Sequence, residues 1–457
     1  MSKIRLHGSS SGYTEIAPVA ASGNNTLTLP NDGTIISKDA AGAVGVTSVH
    51  TTNITATGIA TITTAKIGAG VTITESGIEA SGIGITVANI NGTQIGGRRN
   101  IIINGAMQIA QRGTSSAGGE GYKTVDRFQY YKSGTNETPN QAQVDVAAGT
   151  TPYTLGFRKA YQVENGNQSS AGGSDLVFIE TNLEAMTMQR CGWNYKSSSS
   201  FITLSFWVKS SVAQNFYGYL LTVDGTAYQY PFETGSLSAD TWTKVVKTIP
   251  GNSNLLFDSN VSKGLGIVWW PFLGTSYTDS GVSLDTWATW SSGTRTPDAT
   301  NTWYLTNDAT FELTGVQLEV GPQATPFEHL SFGEDLALCQ RYFYKTYNYN
   351  DAPGTSDFTG TIHGRNYDGA SARSDNPINV IFPVRMRSDP TITWYAGDGQ
   401  SNRYSTGAGA YGSSLTSEYA VGTSFINSEI GVTAVSFSES VPALSMYAYH
   451  ITAESEI

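Results

Sequence analysis

Apolar and polar residues alternate with a two-residue period at four places in the middle of the chain. These are Phe201 to Val208 (FITLSFWV), Tyr217 to Val223 (YGYLLTV), Thr243 to Ile249 (TKVVKTI) and Thr310 to Val320 (TFELTGVQLEV). That period puts successive side chains on opposite faces of a strand, and turn residues separate the runs at the intervals of a β-sandwich. A large sandwich is therefore expected over residues 96–330. The pattern returns in Asn379 to Val384, Thr391 to Tyr395 and Ser445 to Ile451, which predicts a separate C-terminal β domain over 348–457. Between them, SFGEDLALCQRYFYKTY has helical spacing, with Leu336, Cys339, Tyr342 and Phe343 on one face. Ser331 and Glu334 form a capping-box pattern, and a connecting helix is expected over 331–347.

The N-terminal part is patterned differently. Residues 1–37 end in a short alternating run, Thr26 to Leu29, before the turn signal Pro30-Asn31-Asp32-Gly33. From Ile54 to Ile90 an Ile or Val recurs every two or three residues, often after a Gly, with almost no charge, no Pro and no aromatic. A ribbon of two or three such strands is marginal alone in water. Three copies around a threefold axis would bury these rows against one another and cover their edges, so 38–95 reads as a trimeric β shaft. A Gly/Ser/Thr linker is the alternative.

Composition sharpens this all-β reading. Gly occurs at 50 positions and Tyr at 24, while only 14% of residues are charged, against roughly 25% in ordinary globular domains. The formal net charge of -11, with no basic run longer than Gly96-Gly97-Arg98-Arg99, argues against nucleic acid as a partner. No apolar run is long enough to predict a membrane-spanning helix, and the start MSKIRLHGSSSGYTEI lacks the apolar stretch of an export signal, so synthesis in a cytoplasm without membrane insertion is expected. In a reducing compartment Cys191 and Cys339 read as two thiols rather than a disulfide.

Catalytic and metal signals are poor. The histidines are scattered, zinc-type spacings are missing, no nucleophile elbow or phosphate loop occurs, and Asp398-Gly-Gln-Ser-Asn402 lacks the later Glu of a calcium loop. Neither a metal nor a cofactor is expected. The adjacent acids Glu334 and Asp335 belong to the first turn of the helix, where its dipole favours them.

Aromatic residues beside polar ones are the stronger signal, because sugars stack apolar C–H faces on rings while Asp, Asn and Arg bind their hydroxyls. In TWYAGDGQSNRY, Trp394, Tyr395, Asp398, Asn402, Arg403 and Tyr404 surround one Gly-rich loop. Tyr347, Tyr349, Asp351, His363 and Arg365 form a second cluster expected nearby. In GLGIVWWPF, Trp269 and Trp270 must point to opposite faces of a strand, which leaves at most one in the core and the other for a binding face. Trp287, Trp290 and Trp303 read as packing groups. The candidate glycan-binding residues are thus Trp394, Tyr395, Asp398, Asn402, Arg403, Tyr404, Trp269, Trp270, Tyr349 and Arg365.

Several phrases together resemble the tail fibres of tailed bacteriophages, especially of marine and cyanobacterial phages: NGAMQIAQRGTS (Asn104 to Ser115), YKTVDRFQYY (Tyr122 to Tyr131), LSFWVKSS (Leu204 to Ser211), DTWTKVVKTIPG (Asp240 to Gly251) and LTGVQLEVGPQATPFEHLSFGEDLALCQRYF (Leu313 to Phe343). NVIFPVRMRSDPTITW (Asn379 to Trp394) resembles the start of that family's distal domain, and LHGSSSGYTEIAPVAASGNNTLTLPNDGT (Leu6 to Thr34) its virion-attachment end. The resemblance implies an elongated homotrimer with residues 1–37 docked on phage tail proteins, a slender shaft, a jelly-roll β-sandwich similar to carbohydrate-binding modules, and a distal receptor-binding domain. These phrases are scaffold phrases and transfer no binding residue.

The resulting expectation is a non-enzymatic virion protein that binds a host-surface polysaccharide such as lipopolysaccharide O-antigen, neutral or metal-bridged in view of the acidic chain. A fibre that also cleaves its glycan, and a bacterial glycan-binding adhesin, are the alternatives.

Overall fold

Ile202, Leu204, Phe206 and Val208, spaced two apart on one strand, are all fully buried, as the alternating pattern requires. They belong to the larger of two compact units, Val87–Ile457; the other is Met1–Thr86. The computed structural model describes residues 4–7, 12–16, 64–67, 71–74, 77–80, 98–366, 373–407, 417–441 and 445–457. In the first unit, β1 (Ile4–His7) and β2 (Tyr13–Ile16) form an antiparallel pair, and β3 (Thr64–Ile67), β4 (Val71–Thr74) and β5 (Gly77–Ala80) an antiparallel meander. The strand expected at Thr26 to Leu29, and the shaft expected over 38–95 apart from this meander, lie outside the described residues.

In chain order the second unit opens with β6 (Ser115–Ser116), β7 (Gln129–Ser133), β8 (Asn140–Asp145), helix α1 (Thr151–Thr154), β9 (Lys159–Glu164), β10 (Leu176–Glu184) and helix α2 (Ala185–Arg190). Then come β11 (Phe201–Ser210), β12 (Asn215–Thr222), β13 (Tyr228–Ser236), β14 (Thr243–Pro250), β15 (Lys263–Leu273), β16 (Ala288–Thr289) and β17 (Thr310–Val320). They form two six-stranded antiparallel sheets, ordered β16-β13-β12-β15-β10-β7 and β14-β11-β17-β9-β8-β6. The sheets enclose one core in which Trp269 meets Phe206 edge-on with ring centroids 5.6 Å apart. All four central strands expected from alternation are present, so the sandwich follows from the pattern.

The helix is shorter than its spacing predicted. α3 is Phe332–Gln340, and its capping box is in place: the Ser331 hydroxyl accepts the Glu334 N–H while the Glu334 carboxylate accepts from the Ser331 backbone. Asp335 is buried and accepts the backbone N–H of Asn104 at 3.0 Å. Tyr342 and Phe343 do not extend the helical face. The aromatic run after Arg341 favours extended chain, and β18 (Phe343–Lys345) pairs with β25 (Met446–Glu454).

The remaining strands are β19 (Ile362–Arg365), β20 (Arg373–Ile381), β21 (Thr391–Tyr395), β22 (Arg403–Gly407), β23 (Ser417–Ser428) and β24 (Gly431–Val441). They build an eight-stranded sheet, β18-β25-β22-β23-β24-β20, with β19 and β21 also paired to β25. This region covers the C-terminal β domain expected over 348–457. It shares one compact unit with the sandwich, and its end is held there by buried charges. Arg112 pairs with Glu456 at 3.1 Å and lies over the Phe343 ring at 3.7 Å. Arg127 pairs with the same Glu456. Arg387 donates to the carbonyls of Ser455, Glu456 and Val261 at 2.7, 2.8 and 3.0 Å.

Candidate functional site

Adjacent residues on β15 point to opposite faces of the sheet, and the structure encloses both rings. Trp269 lies between the two sheets and offers nothing to a ligand, which corrects its place among the candidates. Trp270 is on the outer face with Leu176, Tyr219, Val268 and Leu273 and is 3% exposed. An at-most-one-buried rule fails here because a later loop folds over that face.

The outer face carries a row of rings from four neighbouring strands. Tyr131 on β7 stands directly opposite Phe178 on β10, with centroids 5.5 Å apart. Phe178 meets Trp270 at 4.9 Å, and Trp270 meets Tyr219 of β12 at 5.7 Å. Tyr131, at 40% exposed, opens the row to solvent. Glu180, next to Phe178 but one, is already engaged by Lys263 and by the Gln129 amide at 3.1 Å.

At the Tyr219 end the loop after β15 adds Tyr277, Trp290 and Arg295. It is anchored by the Arg295 N–H to the Tyr277 carbonyl at 2.9 Å, the Trp290 N–H to the Ala227 carbonyl at 2.9 Å, and the Gln229 amide to the Thr294 carbonyl at 2.6 Å. The Arg295 guanidinium sits over the Tyr277 ring at 4.4 Å and near Trp270 and Trp290 at 5.6 and 5.8 Å. The Trp290 indole N–H comes up beside the Tyr219 hydroxyl, short of a full hydrogen bond. Burial pushes that hydroxyl up to about 12 against the opposing pull of Arg295. Flat rings beside donors and a partly open edge can stack on sugar faces and bind their oxygens.

The C-terminal candidates are divided. Trp394 is 2% exposed and packs on Tyr449 at 4.9 Å, and Tyr404 is fully buried; both are core groups, because β21 and β22 pack these rings into the core of their own sheet. Tyr395 is half-buried and Asp398, Asn402 and Arg403 are exposed around one loop. Asp398 accepts the backbone N–H of Gln400 at 2.9 Å in a local turn, and Asn402 adopts φ 59°. That loop packs on the one around Gly354, whose carbonyl leaves no room for a Cβ at Gly399. Tyr347 stands behind it, stacked on His450 at 3.7 Å. Arg365 is apart: it faces Met446 on β25, whereas Tyr395 faces His450. Tyr349 is drawn to the sandwich, its hydroxyl accepting the Ala110 N–H at 2.9 Å and donating to the Gln108 carbonyl at 3.2 Å. The loop surface therefore keeps four candidates and the ring row one, Trp270.

Sequence reasoning missed Tyr131, Phe178, Tyr219, Tyr277 and Arg295. For Tyr131, Phe178 and Tyr219 the only sequence signal is an outward position in alternating strands, which means nothing until strand order is known; Tyr277 and Arg295 lie outside the strands and carry not even that. Trp287 and Trp303 are packing groups as read, donating to the carbonyls of Pro250 at 2.7 Å and Thr310 at 3.1 Å, while Trp290 lies in the loop at the Tyr219 end of the ring row.

Two clefts lie elsewhere on this unit. One of about 440 Å³ has an Ile101, Ile103 and Leu338 floor, and its Arg341 is spent on Glu184 through bonds of 2.8 and 2.9 Å. Another of about 430 Å³ lies on the second sheet beside Trp207, Phe157, Phe327 and His329.

No family model matches the chain, and no curated protein does. Solved structures do. The family 11 carbohydrate-binding module from Clostridium thermocellum, in complex with a β-1,3-1,4-mixed-linked tetrasaccharide, is 11% identical, with 47% of this chain and 97% of that one covered at a TM-score of 0.20. The N-terminal cellulose-binding domain from Cellulomonas fimi β-1,4-glucanase C is 10% identical over 47% and 99%, at 0.22. The CBM22-1–CBM22-2 tandem domain from Paenibacillus barcinonensis Xyn10C is 9% identical over 81% and 100%, at 0.24. Each is a distant likeness, and the sandwich described above stands on its own strand pairings.

Proposed function

We propose that this chain binds a polysaccharide along the outer face of the β7–β10–β15–β12 sheet, and that it does so as the subunit of a trimeric phage tail fibre. The observation that carries the binding reading is the row Tyr131–Phe178–Trp270–Tyr219, four rings from four adjacent strands at successive spacings of 5.5, 4.9 and 5.7 Å. A polymer laid across the strands would meet Tyr131, 40% exposed, and the half-buried Phe178, while Trp270 and Tyr219, 3% and 5% exposed, back them from beneath the loop; each contact is weak and the sum is increased by a trimer and many copies on one virion. The exposed loop with Tyr395, Asp398, Asn402 and Arg403 is a second contact surface.

The fibre reading rests on the resemblance in sequence. It places residues 1–37 on phage tail proteins, 38–95 in a trimeric shaft, and the polysaccharide on the host surface, lipopolysaccharide O-antigen being the preferred class. The protein acts by binding, without cleaving its glycan.

Binding of the full chain to an array of bacterial surface polysaccharides tests the first part. A hit that is lost in a Tyr131→Ala, Phe178→Ala double variant supports the ring row, and a hit unchanged by it removes the row from the binding reading. Incubation with the hit polymer tests the last part, since shortening of the polymer would make the fibre a depolymerase. Detection of the chain in purified virions separates a fibre from a secreted adhesin.

A further inference from the structure

Arg295 differs from Arg387, whose donors all meet backbone carbonyls, and from three further arginines of the second unit. Arg112, Arg127 and Arg341 each hold a carboxylate. Arg295 is half-buried and stacked over Tyr277, yet it has no carboxylate partner among the described residues, and its Nε makes no hydrogen bond although it is out of contact with solvent. A second donor beside it is in the same condition: Trp270, 3% exposed, has an unbonded buried Nε1–H. The indole of Trp269 is also unbonded, but it lies between the sheets where no ligand reaches. Buried donors left without acceptors cost free energy unless something supplies the acceptor.

We infer that Arg295, held against the rings of Tyr277, Trp270 and Trp290, forms a subsite for the carboxylate of an acidic sugar at the Tyr219 end of the ring row. The inference rests on the proposed glycan-binding face and adds the class of ligand. A planar guanidinium seated over a ring can still meet a carboxylate with two parallel N–H···O bonds. Glu180, an acid close enough to act on Tyr219, is taken up by Lys263 and Gln129, and Asp298 accepts the Thr278 hydroxyl at 2.6 Å. The net charge of -11 disfavours a polyanion at long range. The fitting ligand is therefore a repeat in which single uronic-type acids are spaced by neutral sugars.

The test uses saturation-transfer NMR on the full chain with methyl β-glucuronoside and its carboxyl-reduced counterpart, methyl β-glucoside, each at millimolar concentration. Transfer to the glucuronoside should exceed that to the glucoside, should fall as salt is raised, and should weaken by about tenfold in apparent Kd in Arg295→Gln, with partial recovery in Arg295→Lys. Arg190→Gln, in the 440 Å³ cleft, should leave it unchanged and controls for loss of general charge. Equal transfer to both sugars overturns the acid subsite while leaving the ring row as a sugar-binding face. Transfer to neither, with a polysaccharide hit on the array still intact, overturns the subsite alone; failure of the array itself overturns the binding face.

Discussion

The guanidinium of Arg127 lies 3.5 Å from the centre of the Tyr342 ring and pairs with Glu456. Both charged side chains are nearly fully buried, at 2% and 7% exposed. The two ends of this contact are far apart in the chain, so it joins the sandwich to the C-terminal sheet.

Removing one partner of such a pair leaves a buried charge uncompensated, which costs about 3–5 kcal/mol. Glu456→Gln, or Arg127→Met, should therefore lower the unfolding midpoint in denaturant. The double variant should recover part of the loss, since the Arg127 charge is then gone with its partner while Arg112 keeps Asp126 and Glu454. A single variant with an unchanged midpoint would remove this pair as a link between the two regions.

Asp126, 1% exposed beside Arg112, gives a pH signature. Burial pushes its carboxyl up to about 6 despite the opposing pull of Arg112 and of the Gln111 donors. A folded value above the unfolded one means that the native state binds the extra proton. This contribution to stability is complete below about pH 4 and is lost as pH rises through about 6. The wild-type minus Asp126→Asn difference in thermal midpoint should fall across this window, and a flat difference would refute the shift.

The two thiols should behave unequally. Both are free, Cys339 fully buried and Cys191 half-buried, and burial raises both above the ordinary thiol range. An aromatic disulfide reagent should label Cys191 slowly in the native protein and Cys339 only on unfolding. Rapid labelling of Cys339 at native pH would show that the contact between α3 and the sandwich opens.

The meander β3–β4–β5 bears on assembly. If the Ile and Val rows of 38–95 pack around a threefold axis, light scattering of the full chain should give a mass near three times 48.7 kDa, and deletion of 38–95 should weaken it. A monomer of full-length chain would leave the segment a linker and weaken the avidity argument.

Along Phe201 to Val208 the alternation of side chains decided by itself that a strand would form and which residues would share the inward face, because the two-residue period is local geometry; that Thr203 and Ser205 on the other face are buried too came from the tertiary structure. The same holds for the Ser331–Glu334 cap, whose two hydrogen bonds close within one turn. The sequence also determined that Trp269 and Trp270 would take opposite faces. It could not say that both would be enclosed, because the cover over Trp270 comes from Tyr277 and Arg295, brought back by a loop pinned to the edge of β13. Nor could it assemble the ring row: Tyr131, Phe178, Trp270 and Tyr219 come together only through the order of β7, β10, β15 and β12, a set of long-range pairings that no local period encodes. In the C-terminal sheet the strand patterns report their own faces, while the buried charges that fasten it to the sandwich are single residues whose partners only the tertiary structure selects.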